Sequence, residues 1–157
     1  MHKNFFISTP IKKDEYGKDV YVFTLKIKNK IIFANNMVLG TWTIREYREQ
    51  WINALQRLRT EDISCIVQAY VHILSSNYTG VTMFTLFRSG LTLYIQYKAL
   101  MSDSDQRLLR EKEFNIQTCY EFITPIRTHN EYGQELLVWS CNYDPQEIDQ
   151  LIAELKK

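Results

Sequence analysis

Ser64-Cys65-Ile66-Val67-Gln68-Ala69-Tyr70-Val71-His72-Ile73-Leu74, Val81-Thr82-Met83-Phe84-Thr85-Leu86-Phe87-Arg88 and Leu91-Thr92-Leu93-Tyr94-Ile95-Gln96-Tyr97 follow one another along the chain with short polar breaks between them. These runs are rich in β-branched and aromatic residues, which suit a pleated, half-buried surface. Ser75-Ser76-Asn77 and Ser89-Gly90 punctuate them, so the stretch predicts a three-stranded antiparallel meander. Upstream, Val20–Ile27 alternates: Tyr21, Phe23, Leu25 and Ile27 oppose Val20, Val22, Thr24 and Lys26, the pattern of a half-buried strand. Asn29-Lys30 turns that strand into Ile31-Ile32-Phe33-Ala34 as a hairpin. Asn4–Thr9 adds another strand, with Tyr16-Gly17 in the intervening turn.

Between these groups the period changes. Thr43 and Glu46 stand at capping-box spacing, where each side chain satisfies a backbone donor at a helix start. Ile44–Arg59 then places Ile44, Tyr47, Trp51, Leu55 and Leu58 on one stripe, with its charges on the other sides, and predicts a helix packed on a sheet. Ser102–Glu113 is polar and exposed with some helix, and Asn115–Phe122 reads as a short helix capped by Asn115. A loop at Arg127–Gly133 leads to a strand at Gln134–Cys141. Asp144 then caps a last helix, with Pro145 at its first position, Glu147 completing a box, and Ile148, Leu151, Ile152 and Leu155 as the buried stripe. Strands outnumber helices and are joined by short turns. The class is α+β, antiparallel sheet with packed helices, and residues 1–157 read as one domain without repeats or linkers.

Composition limits the function. Lys and Arg total 19 against 18 Asp and Glu, a net charge of +1. A dedicated nucleic-acid binder draws its affinity from neutralising phosphates and carries a basic excess, so this balance argues against nucleic acid as the partner. Cys65, Cys119 and Cys141 form no close pair in sequence and no metal-type spacing, which suits a reducing cytoplasm. The apolar runs are too short for a signal peptide or a membrane span, so a cytosolic protein is expected.

Little in the chain points to catalysis. His2 is terminal, and His72 sits within a strand run where a partnered structural role is the commoner use. There is no HExxH, Cys-x-x-Cys, phosphate-cradling loop or Gly-x-Ser-x-Gly elbow, and only five glycines. No cofactor, metal or catalytic residue is assigned. The densest polar group is Arg127-Thr128-His129-Asn130-Glu131-Tyr132, a cation, a titratable ring and a carboxylate on a loop, where recognition residues concentrate. The plain alternative is a polar connection in which Arg127 pairs a nearby carboxylate.

Trp42-Thr43-Ile44-Arg45-Glu46-Tyr47-Arg48-Glu49-Gln50-Trp51, continuing to Ala54-Leu55, resembles the immunity proteins of bacterial contact-dependent growth inhibition systems. Arg127-Thr128-His129, then Gly133 and Trp139, is similar to that family's late loop, glycine and closing tryptophan. Leu93-Tyr94-Ile95-Gln96 is similar to a strand that follows a charged turn. The chain departs from the family at Leu137-Val138, where relatives often carry Ser-Glu before the tryptophan, and the resemblance does not place the first forty residues. The resemblance implies a partner, the carboxy-terminal toxin domain of a secreted exoprotein, often a nuclease, and in some relatives a Whirly-like fold. If the toxin binds RNA it exposes Lys and Arg, so the candidate contact residues are Asp103, Asp105, Glu111, Glu113, Glu131 and Glu135, together with Arg127, His129 and Tyr132, while Tyr97 and Tyr132 are candidate aromatic anchors. The alternatives are a Whirly-like module stacking single-stranded nucleic acid on exposed aromatics, and a small enzyme using His129 with Glu131.

Overall fold

The computed structural model describes residues 3–76 and 78–157, so His2 and the Asn77 position of the first predicted turn lie outside the described residues. Among the described residues eight strands form two antiparallel sheets: β1 (Phe5–Ser8), β2 (Ile11–Lys13), β3 (Asp19–Ile27) and β4 (Lys30–Asn36), then β5 (Ile63–Ile73), β6 (Tyr78–Ser89), β7 (Thr92–Ala99) and β8 (Trp139–Asn142). In the first sheet β1 and β2 both pair with β3, whose other side takes β4. The second runs β5-β6-β7-β8, with the predicted meander as its first three strands. The helices are α1 (Ile44–Arg57), α2 (Asp103–Glu111) and α3 (Pro145–Leu155). The α+β expectation holds.

The sheets meet through aromatic rings. Phe23 of β3 stacks on Phe84 of β6 at 5.8 Å and meets Trp51 of α1 edge-on at 5.4 Å. Phe33 of β4 packs against Phe84 at 5.2 Å and stacks on Tyr97 of β7 at 5.5 Å. Offset and edge-to-face pairs of this kind add to the area each ring buries. The β3–β4 hairpin turns on Lys28 and Asn29, both with positive φ, the geometry that matches the right-handed twist of the flanking strands.

Helix α1 starts at the predicted capping box and buries Tyr47, Trp51 and Leu55. Its polar residues cover the outer edge of β5, which pairs with β6 alone. The Gln50 amide acts as a surrogate strand residue: Nε2 donates to the Cys65 carbonyl and Oε1 accepts from the Val67 N–H, both at 2.8 Å. Trp51 Nε1 donates to the Val67 carbonyl at 2.8 Å, Tyr47 Oη accepts from the Tyr70 N–H at 2.9 Å, and Thr41 Oγ1 accepts from the His72 N–H at 3.1 Å. A buried edge of unpaired backbone groups is thereby satisfied and closed to further pairing.

Several local expectations change. Asn115–Phe122 forms only a single 3-10 turn at Cys119–Phe122. Asn115 Oδ1 accepts from the Gln117 and Thr118 N–H groups at 2.8 Å while Thr118 Oγ1 donates to the Glu113 carbonyl, local bonds that compete with a helix. The last strand covers Trp139–Asn142 rather than Gln134–Cys141, because the preceding residues fold back as a separate loop. Asp144 caps α3 as expected, but Glu147 leaves the box: its carboxylate accepts from the Phe5 N–H and from Asn4 Nδ2, both at 3.1 Å, stitching β1 to the helix. Cys65 and Cys119, distant in sequence, meet around Gln50 Nε2, which approaches their sulfurs at 4.0 and 3.6 Å.

Candidate functional site

The predicted contact residues fall into two groups on the surface. In the first, Ser102 and Asp105 form a capping box that starts α2. Asp105 is engaged in that cap, accepting from the Ser102 N–H at 3.3 Å, whereas Asp103 and Glu111 at the two ends of the helix are exposed. Glu113 is also exposed, and its charge lies close enough to Tyr70 to help raise that phenol's pKa, behind burial as the main cause.

The second group is a loop built by one asparagine. Asn130 Oδ1 accepts from the Tyr132 and Gln134 N–H groups at 2.9 Å, and its Nδ2 donates to Gln134 Oε1 at 2.8 Å. Gly133 takes a positive φ of 76°, which L side chains adopt only under strain, and a bridge between His129 and Glu135 closes the base. Glu131 and Tyr132 sit at the tip, where Tyr132 is 81% exposed. His129 Nδ1 is 3.0 Å from Thr128 Oγ1 and forms no pair with Glu131 among the described residues, so the imagined acid–base couple is not assembled. His72 is a partnered strand residue, its Nδ1 2.8 Å from Thr79 Oγ1.

The root of the loop is clamped by a buried side chain on β7. Gln96 Nε2 donates to the Arg127 carbonyl at 2.7 Å and Oε1 accepts from the Arg127 N–H at 3.1 Å, while a longer bond reaches the Leu137 carbonyl. Arg127 therefore owes its place to its backbone, and its guanidinium makes no ion pair among the described residues, against the expected pairing with a carboxylate. Lys98 connects the groups: burial and then the charge of Arg127 lower its pKa, and Asp105 acts in the opposite sense.

Beside this loop lies a concavity that sequence reasoning missed. Phe33, Tyr97, Lys98, Arg127, Leu137 and Trp139 line a groove of about 450 Å³. It adjoins a second hollow, about 440 Å³, where Lys28, Lys30, Ile31 and Ile32 face Trp139 and Ser140. Leu137 is 66% and Ile31 55% exposed. Tyr97 and Arg127 are candidate contacts by sequence, but the groove is not, because no periodicity in one strand announces a hollow made jointly by two sheets and a loop.

What the structure defines is a two-sheet α+β fold presenting a shaped surface of apolar, cationic and acidic side chains. The family description of the CdiI N-terminal domain matches residues 37–149, and the chain belongs to that family, the immunity proteins of contact-dependent growth inhibition. The fold is similar to that of a chain in the CdiA-CT/CdiI toxin and immunity complex from Enterobacter cloacae, with a TM-score of 0.71, 17% sequence identity and 99% of each chain covered. That likeness includes the first sheet, which the family match does not reach. No curated protein matches the chain. No described helix is long and apolar enough to cross a membrane.

Proposed function

We propose that this chain is a cytoplasmic, non-enzymatic immunity protein that binds the toxin domain of a contact-dependent growth inhibition exoprotein and blocks its active site or substrate channel. The observation that carries the reading is membership of the CdiI family over residues 37–149; the end-to-end likeness to a chain of a toxin–immunity complex is consistent with it. A stable complex buries about 1,200–2,000 Å² in total, and the loop, the groove and α2 are the parts of this surface proposed to supply it. A toxin that cleaves RNA is cationic around its cleft. Asp103, Asp105, Glu111 and Glu113 on and after α2, with Glu131 and Glu135 on the loop, would then complement it and speed encounter, while Arg127, His129 and Tyr132 add polar and aromatic contacts.

Isothermal titration of the purified protein with the toxin domain encoded immediately upstream of its gene tests the reading. The expected result is nanomolar or tighter affinity, with no binding to unrelated toxins and no RNA turnover by the chain alone. Absence of tight binding overturns the proposal. Reversing Asp103 and Glu111 to Lys should lower the association rate about tenfold at low salt and much less at high salt, because exposed charges act mainly through long-range steering.

A further inference from the structure

The groove has chemistry of its own. Its two halves are lined by Phe33, Tyr97, Leu136, Leu137 and Trp139, and by Ile27, Ile31 and Ile32, with Lys98 and Arg127 at one end and Lys28 and Lys30 at the other. No carboxylate lines either half. In a chain of net charge +1 this is a local cationic excess around an apolar floor. None of the four cations takes part in an ion pair among the described residues.

Open backbone edges border the same hollow. β8 pairs with β7 only from Thr92 to Ile95, so the outer edge of β7 from Gln96 to Ala99 carries no strand. Among the described residues β4 pairs with β3 alone, which leaves its other edge without a strand along Ile31 and Phe33. Gln96 is committed to the loop through its side chain, which holds Arg127 and Leu137 beside this edge. The contrast with β5 is direct, since there α1 fills the edge with side-chain partners. An exposed edge over an apolar floor is a template for an added strand, whose backbone pairs with the edge and whose alternate side chains enter the floor.

From these observations we infer that the groove between β4, β7 and β8 receives an extended acidic and apolar segment of the partner protein, laid along an open strand edge. The inference rests on the toxin-binding reading and specifies what part of the toxin is held. Apolar side chains of the segment sit on Leu137, Trp139 and Tyr97, and its carboxylates meet Lys98 and Arg127. Ile27, Ile31, Ile32, Leu136 and Leu137 favour peptide side chains over nucleotide bases, and the Phe33, Tyr97 and Trp139 rings are already packed against Phe84. The partner surface must therefore combine an acidic, extended segment for the groove with a cationic patch for the nearby α2 carboxylates.

The test compares wild-type protein with Leu137→Asp and with the double variant Lys98→Glu/Arg127→Glu, using the toxin domain encoded immediately upstream. Thermal unfolding controls for folding, and Lys98→Arg is the conservative control. The expected result is weakening by about 100-fold or more in both groove variants, near-wild-type affinity for Lys98→Arg, and slowed hydrogen exchange of amides in Tyr97–Ala99 or Ile31–Asn35 in the complex. Unchanged affinity in both folded groove variants overturns the groove inference while leaving the immunity reading intact. Failure of the wild-type protein to bind the toxin sinks both. Loss of single-stranded oligonucleotide binding in the double variant, with toxin affinity preserved, would show a nucleic-acid groove and also overturn the inference.

Discussion

Gln50 shows how a residue unremarkable in sequence decides whether an edge can be buried. Its amide pairs with Cys65 and Val67 where a neighbouring strand would have done so. Gln50→Leu keeps the volume and strands a donor and an acceptor inside the core, so urea denaturation should show a loss of about 3 kcal/mol. Tyr47 gives a pH-dependent counterpart. Burial, only partly offset by its bond to the Tyr70 backbone, raises its phenol from 10.0 to about 12. A raised folded-state pKa means the native protein holds its proton after the unfolded chain has released it. The stabilisation is complete below pH 10 and lost as pH rises from 10 to 12, a decline that urea midpoints should show and that Tyr47→Phe should flatten. The motif residues divide by role. Trp42, Tyr47, Trp51, Ala54 and Leu55 are buried and shape the core, whereas Arg127, Thr128 and His129 are exposed.

Among the elements, those with a strong local signal were legible. The capping box of α1 and the Asp-Pro start of α3 act within a few residues of themselves, and the meander's turns are equally local. The misreadings arose where a side chain answers to something far away. Glu147 has the right spacing for a box, yet the N–H it reaches belongs to Phe5. Removing it by Glu147→Ala should cost about 1–2 kcal/mol and accelerate hydrogen exchange at the Phe5 amide more than within α3, because the bond joins two elements. The end of the predicted strand at Gln134 failed similarly, since the Leu137 carbonyl accepts from the Gln96 side chain beside β7. The acidic α2 and the polar loop were visible as candidate surface, but the cationic, apolar groove beside them was not. Its residues come from β4, β7 and the loop, and their meeting depends on how two sheets stack.

At the scale of the whole chain, one connected core draws on both sheets, α1 and α3. We propose on that ground that the chain is a single folding domain. Heat or urea should melt it in one transition, coincident by near- and far-ultraviolet circular dichroism, and two separated transitions would contradict this.

The tie between β1 and α3 has a consequence for how the protein comes into being. Phe5 and Asn4 leave the ribosome early and must wait for Glu147, 142 and 143 positions later, before their partner exists. The first sheet thus lacks this tie to α3 until Glu147 has been made, so it is fastened only late in translation.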